Sequence, residues 1–202
     1  MSDRYFKVGE STVDEIKRCF GGNELGVSYH DKEWGRQQHD DNMLFEMLTL
    51  EGAQAGLSWS TILNKREAYR KAFDNFDPYK VAQYDETKIE ELMGDAGIVR
   101  NRLKINSTII NAKAFLLIIK EYGSFDSFIW SYVDNTPIVG HWETFRDMPT
   151  TTAISDRISK DLKKRGFKFI GSTIIYSFMQ AVGMVNDHLK GCLVYKEMFG
   201  EE

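Results

Sequence analysis

This chain of 202 residues holds two cysteines, and each lies beside a histidine at opposite ends of the sequence. Cys19 precedes His30 by eleven residues, and His188 precedes Cys192 by four. Two thiols and two imidazoles are a complete tetrahedral ligand set for zinc. Residues four apart face the same way on a helix, so His188 and Cys192 can grip one ion. A metal held by all four would join the two ends of the chain. With no position left for water, it would hold the fold and do no chemistry. Spacing alone leaves alternatives open, because two cysteines also serve as small buried hydrophobes or as a remote disulfide. The interval from Cys19 to His30 is too long for one helical pair.

The length suits one sizeable core or two small lobes. Hydrophobic residues make up 42% and aromatics 13%, which fits a packed protein and argues against disorder. The densest apolar run, residues 114–119, is far shorter than a membrane span. Met1-Ser2-Asp3-Arg4-Tyr5 lacks the basic start and apolar core of a secretion signal, so a cytoplasmic protein without a membrane partner is expected. The net charge of −4 does not favour nucleic acid. It is unevenly spread, however. Lys160, Lys163, Lys164, Arg165 and Lys168 fall close together, and Arg100, Arg102 and Lys104 form a smaller group. Such clusters are ordinary solvated faces or phosphate contacts, so the acidic balance weakens a DNA partner without excluding it.

Helical periodicity dominates. Ile105, Ile109, Ala112, Leu116 and Ile119 trace one stripe, and Ile154, Ile158 and Leu162 another. The three prolines fall where helices start or stop: Asp77-Pro78 opens one, Pro137 follows Asp134-Asn135, and Pro149 precedes the N-cap candidates Thr150-Thr151-Thr152. Alternating strand patterns are scarce, and the expected fold class is all-α.

Residues 40–59 carry the most chemistry. Leu44, Leu48 and Glu51 stand at i, i+4 and i+7, so an apolar stripe ends in an inward carboxylate. Buried acids are costly unless paired, and they have raised pKa values, so Glu51 is either functional or a core glutamate bonded to backbone or arginine. The glycines of Gly52-Ala53-Gln54-Ala55-Gly56-Leu57-Ser58-Trp59 predict a turn at the mouth of a cleft, with Trp59 as a flat stacking face or a core anchor. Farther on, the basic turn Lys163-Lys164-Arg165 ends at Gly166. A short hairpin follows, and Gly171 opens an apolar helix expected to run from Ile174 to Met184. The amides of such a hairpin can hold a phosphate without reading sequence, although an ordinary turn has the same outline.

From Cys19 to Cys192 these blocks resemble the 3-methyladenine DNA glycosylase I family, a branch of the helix-hairpin-helix DNA glycosylases. The resemblance rests on Tyr29-His30-Asp31, Glu33-Trp34-Gly35, Leu50-Glu51-Gly52, residues 54–59 and 163–171, Tyr176-Ser177-Phe178-Met179-Gln180-Ala181 and Asn186-Asp187-His188. It implies a two-lobed helical enzyme with a helix-hairpin-helix at about 155–183 and a single glycosylase domain over residues 19–202, preceded by an extension, residues 1–18, with no assigned role. The implied activity is hydrolysis of the bond between 3-methyladenine and its sugar in alkylated double-stranded DNA, after the nucleotide has rotated out of the stack. The protein would act as a monomer without a nucleotide cofactor. One structural zinc would be held by Cys19, His30, His188 and Cys192.

The family's base-contacting positions fall on Glu51, Tyr29 and Trp59, with Glu51 the catalytic candidate. A carboxylate and a stacked indole both favour a cationic base over neutral adenine. Gln54, Gly56 and Leu57 are placed to press into the gap left by the base. Lys164, Arg165, Gly166, Lys168 and Gly171 are placed to contact the DNA backbone. Asp187 lies near the distance of the superfamily's usual catalytic aspartate but sits within the ligand block, so no catalytic role is assigned to it. The chain departs from the family before His30: the expected proline is missing, Gly26 replaces a tyrosine, and the interval from Cys19 is two residues shorter. That departure puts one pocket wall in question. It also raises the alternative of a module that binds damaged DNA without cutting it. A zinc hydrolase is a third reading, which Cys192 as fourth ligand disfavours.

Overall fold

The computed structural model describes residues 17–200, so residues 1–16 of the expected extension lie outside the described part. The first half runs α1 (Glu24–Lys32), α2 (Asp41–Gln54), α3 (Trp59–Ala72), α4 (Pro78–Val81) and α5 (Glu86–Gly94). The second half runs α6 (Arg102–Tyr122), α7 (Phe125–Trp130), β1 (Ile138–Val139), α8 (Ala153–Lys164), α9 (Ser172–Ala181), β2 (Val185–Asn186) and α10 (Leu193–Phe199).

Local chemistry starts most of these helices. The side chains of Asn23, Asp40, Ser58, Asp85, Asn101 and Thr152 each accept a hydrogen bond from a first-turn amide of α1, α2, α3, α5, α6 and α8. Asp77 caps α4 ahead of Pro78. The helix α9 begins on Gly171 without a side-chain cap.

The core is organised around α2. Ten of its fourteen residues are buried, so it is apolar nearly all round and takes the centre. The helices α3, α6, α7 and α9 pack against it. Phe45 meets Phe115 of α6, which stacks on Phe125 of α7 at 4.1 Å. Ile158, Leu162, Ile175 and Phe178 close the core between α8 and α9.

Three expectations need correction. The protein is mostly rather than wholly helical, because β1 and β2 pair in parallel through Ile138 with Val185 and Val139 with Asn186. Strands of two residues are too short to leave an alternating pattern. Gly52 does not open a turn: α2 continues to Gln54, and Gly52 lies inside the helix facing Phe169, where a Cβ would sit in ordinary contact at 3.4 Å from its carbonyl oxygen. The helix after Gly171 stops at Ala181, before Met184. Among the described residues no helix is long and apolar enough to cross a membrane.

Candidate active site and metal cluster

A cavity of about 290 Å³ opens between the end of α2, the start of α3 and the first turns of α9. It lies at the small end of ligand pockets, which span roughly 300–1,000 Å³. Glu51 reaches it from α2, Tyr29 from α1 and Trp59 from the first turn of α3. The two rings tilt toward each other with centroids 5.0 Å apart. Three residues separated in sequence and named together as base contacts therefore share one hollow. Gln54, Gly56 and Leu57 form its lip. Gly56 has a φ of +79°, and Leu57 is 42% exposed.

The helix α2 carries two buried carboxylates with opposite fates. Glu46 is held by Arg66 and by Arg70, whose Nε lies 3.0 Å from its Oε2. Glu51 has neither a hydrogen bond nor an ion pair among the described residues, and burial alone pushes its carboxyl up to about 8. The arginine-paired alternative thus describes Glu46 and not Glu51. An acid left without a partner in a pocket is poised for a cationic or hydrogen-bonding ligand.

The structure also shows walls that spacing did not reveal. Phe20, Trp34, Thr173, Ile174, Ser177 and Gln180 line the same cavity. Lone aromatics and small polar residues give no sequence signal of this kind. Gly26 does not border the cavity. A Cβ there would lie 2.4 Å from the carbonyl oxygen of Gly21, so the turn into α1 leaves no room for a side chain. Phe20, edge-on to Trp34 at 5.0 Å, supplies an aromatic wall close by.

Asp187 is fully buried and satisfied. It accepts hydrogen bonds from Tyr176 Oη (2.6 Å), Gln180 Nε2 (2.7 Å) and Trp142 Nε1 (2.7 Å). Its oxygens tie Tyr176 and Gln180 of α9 to Trp142.

Cys19, His30, His188 and Cys192 are all buried, and their ligating atoms lie within 4.8 Å of one another. His188 and Cys192 meet across an irregular turn and not along a helix as their spacing predicts, because α10 begins only at Leu193. Cys192 Sγ is 3.4 Å from His30 Nε2 and 3.5 Å from His188 Nδ1, and Cys19 Sγ is 3.6 Å from His188 Nδ1. The outer ring nitrogens are engaged, His30 Nδ1 with Asp31 (2.7 Å) and His188 Nε2 with the Trp34 carbonyl (3.0 Å). These contacts orient both lone pairs toward the sulfurs, the arrangement that metal-binding imidazoles require. The two thiols divide ionisation between them: their mutual hydrogen bond pushes Cys19 up, with help from burial, and holds Cys192 down, with help from the imidazoles. This set could hold a metal ion.

The basic hairpin residues are more varied than their sequence suggests. Lys164 and Lys168 are exposed, and Gly166 takes a φ of +96°. Arg165 instead turns back to Glu121 (2.6 Å) and lies over the rings of Tyr122 and Phe128. Gly171 starts α9 beside the cavity wall formed by Thr173 and Ile174. Of the smaller basic group, Arg102 pairs with Glu86 and Glu90.

The chain is similar to known proteins over most of its length. The model of a family described as methyladenine glycosylase matches residues 19–195. DNA-3-methyladenine glycosylase 1 of Escherichia coli (strain K12) is 53% identical over 182 residues, or 89% of this chain and 97% of that protein. DNA-3-methyladenine glycosylase of Haemophilus influenzae is 48% identical over 177 residues, or 87% and 96%. A solved structure concerning 3-methyladenine recognition by 3-methyladenine DNA glycosylase I from Staphylococcus aureus has a TM-score of 0.83 at 42% identity. It covers 85% of this chain and 92% of its own.

Proposed function

We infer the function from one premise, that this chain belongs to the methyladenine glycosylase family. It is a monofunctional DNA-3-methyladenine glycosylase of base-excision repair. The observation that carries the chemistry is Glu51, a buried carboxyl with no partner among the described residues, facing a pocket walled by Tyr29 and Trp59.

Methylation at N3 gives adenine a positive charge, which makes it a good leaving group. The C1′–N9 bond breaks with its electron pair going to the base. Water then supplies hydroxide to C1′ and gives up a proton. With a pKa near 8, Glu51 is mostly neutral at pH 7. Ionising it there costs about 1.4 kcal/mol, the value of one pKa unit. A cation in the pocket offsets that cost and draws the acid into its carboxylate form; neutral adenine does not. Trp59 stacks on the electron-poor ring, Tyr29 adds a hydroxyl, and Gln54, Gly56 and Leu57 enter the gap in the duplex. The non-catalytic reading is not favoured, because the acid and both rings are retained in one pocket.

The resident metal of the cluster is read as zinc. A tetrahedron with Zn–S near 2.3 Å and Zn–N near 2.0 Å has sulfur–nitrogen edges of about 3.5 Å. The observed separations of 3.4, 3.5 and 3.6 Å support that fit. Four protein ligands leave zinc a structural role. The family match from residue 19 supports reading the chain from there on as one glycosylase domain, with a helix-hairpin-helix at about 155–183. Exposed Lys164 and Lys168, with the backbone at Gly166 and Gly171, are its DNA-facing groups, and Arg165 contributes from its pair with Glu121.

The test is release of free 3-methyladenine from methylated duplex DNA by the zinc-loaded protein. Release well above the buffer rate is expected. Release at the buffer rate would overturn the assignment.

A further inference from the structure

Two irregular segments lie near the pocket: the turn after α2, whose Ala55, Gly56 and Leu57 line it, and the hairpin of residues 165–171, which leads into α9, whose Thr173 and Ile174 line it. Neither has regular structure of its own, and both are fastened to α6. Lys104 Nζ donates to the carbonyls of Ala53 (2.8 Å) and Ala55 (2.7 Å), satisfying acceptors that the end of α2 leaves open. Asn111, 5% exposed, takes both backbone groups of Lys168. Its Oδ1 accepts from the Lys168 N–H at 2.8 Å, and its Nδ2 donates to the Lys168 carbonyl at 3.0 Å.

The hairpin needs such holding. Phe169 has a φ of +53°, a region unfavourable for a residue with a Cβ, so surrounding contacts must impose it. Ser159 Oγ adds a bond to the Ile170 carbonyl at 2.6 Å. Lys104 and Asn111 are seven residues apart, two helical turns, which places their anchor points about 10 Å apart along a rigid rod.

We propose that Lys104 and Asn111 are positioning residues, a brace on α6 that fixes the spacing between the wedge turn and the DNA-holding hairpin. The proposal rests on the glycosylase reading above. A duplex gripped at two points gains from both only when their separation is set beforehand, and small misplacements at a reacting centre cost large factors in rate. The brace touches neither Glu51 nor the rings, so it acts on the duplex and leaves recognition of the free base alone.

The experiment compares zinc-loaded wild type, Lys104→Met, Lys104→Arg and Asn111→Ala on two probes, free 3-methyladenine and a duplex bearing a stable abasic-site analogue. Both Lys104→Met and Asn111→Ala should keep wild-type affinity for the free base and bind the duplex about tenfold more weakly, the size of a lost buried hydrogen bond. Lys104→Arg should recover part of the loss. A 2-aminopurine beside the lesion should brighten less with both weakened variants, reporting poorer unstacking. Duplex affinity equal to wild type in both would overturn the brace, as would parallel loss of free-base binding. If Asn111→Ala melts too early to assay, half-buried Lys104 decides the matter alone. A wild type that binds the base but no duplex would sink the glycosylase reading and the brace together. Variants matching an active wild type would sink the brace only.

Discussion

Replacing Glu51 with glutamine should separate stability from activity. Glu51 is 5% exposed, and burial raises its carboxyl from the ordinary 4.5 to about 8. Between those pH values the unfolded chain has released a proton that the folded chain still holds, so the stability of the wild type falls as pH rises. The slope from this one group is about 1.4 kcal/mol per pH unit. The loss reaches about 3 kcal/mol by pH 7 and about 5 kcal/mol above pH 8. Glu51→Gln has no such titration, though its amide leaves an unsatisfied buried group worth about 1–3 kcal/mol. At pH 7 the variant should therefore be as stable as the wild type or up to about 2 kcal/mol more stable. Its advantage should grow from pH 5 to pH 8. Release of 3-methyladenine should drop by about 100-fold or more, the scale seen when a charge-stabilising group is removed. Denaturant melts of zinc-loaded wild type and variant across pH 5–8 isolate this acid, because the cluster's thiols and imidazoles are common to both. Parallel stability–pH curves would show that Glu51 is already ionised or partnered in the folded protein, and the account of selectivity by a cation-induced carboxylate would fail.

Two further substitutions probe the frame of the pocket. Cys192→Ala should lower zinc content and melting temperature together, and also weaken 3-methyladenine binding, since the pocket ring of Trp34 lies edge-on to His188 at 4.6 Å; one full equivalent of zinc on the variant would show the ligand set to be wrong. Gly26→Ala should lower the melting temperature although alanine favours a helix by about 1 kcal/mol, because its Cβ would meet the Gly21 carbonyl oxygen at 2.4 Å. A higher melting temperature would show that the turn into α1 yields easily and that a tyrosine could be accommodated there.

What the chain reveals on reading, and what it hides, divides along sequence distance. The inward acid is legible because Leu44, Leu48 and Glu51 repeat at helical spacing. The same helix hides its second buried acid: Glu46 is neutralised by Arg66 and Arg70 on α3, and nothing near Glu46 signals this. The Cys/His cluster is legible because cysteines are scarce here and histidine lies near each. The partners of its outer ring nitrogens are only half so, since Asp31 adjoins His30 whereas the Trp34 carbonyl reaches His188 across 154 positions. Gly52 shows how one residue type misleads. A glycine late in a helix usually means a turn, but here the helix runs on through Gly52 to Gln54. The tie from Asn111 to Lys168 spans 57 residues and uses an ordinary asparagine, so no periodicity marks it. Chemistry is therefore easier to read than placement. The groups proposed to meet the base are unusual residues in unusual settings, while those proposed to hold the DNA-facing segments in place are common residues whose meaning arises only when distant helices come together.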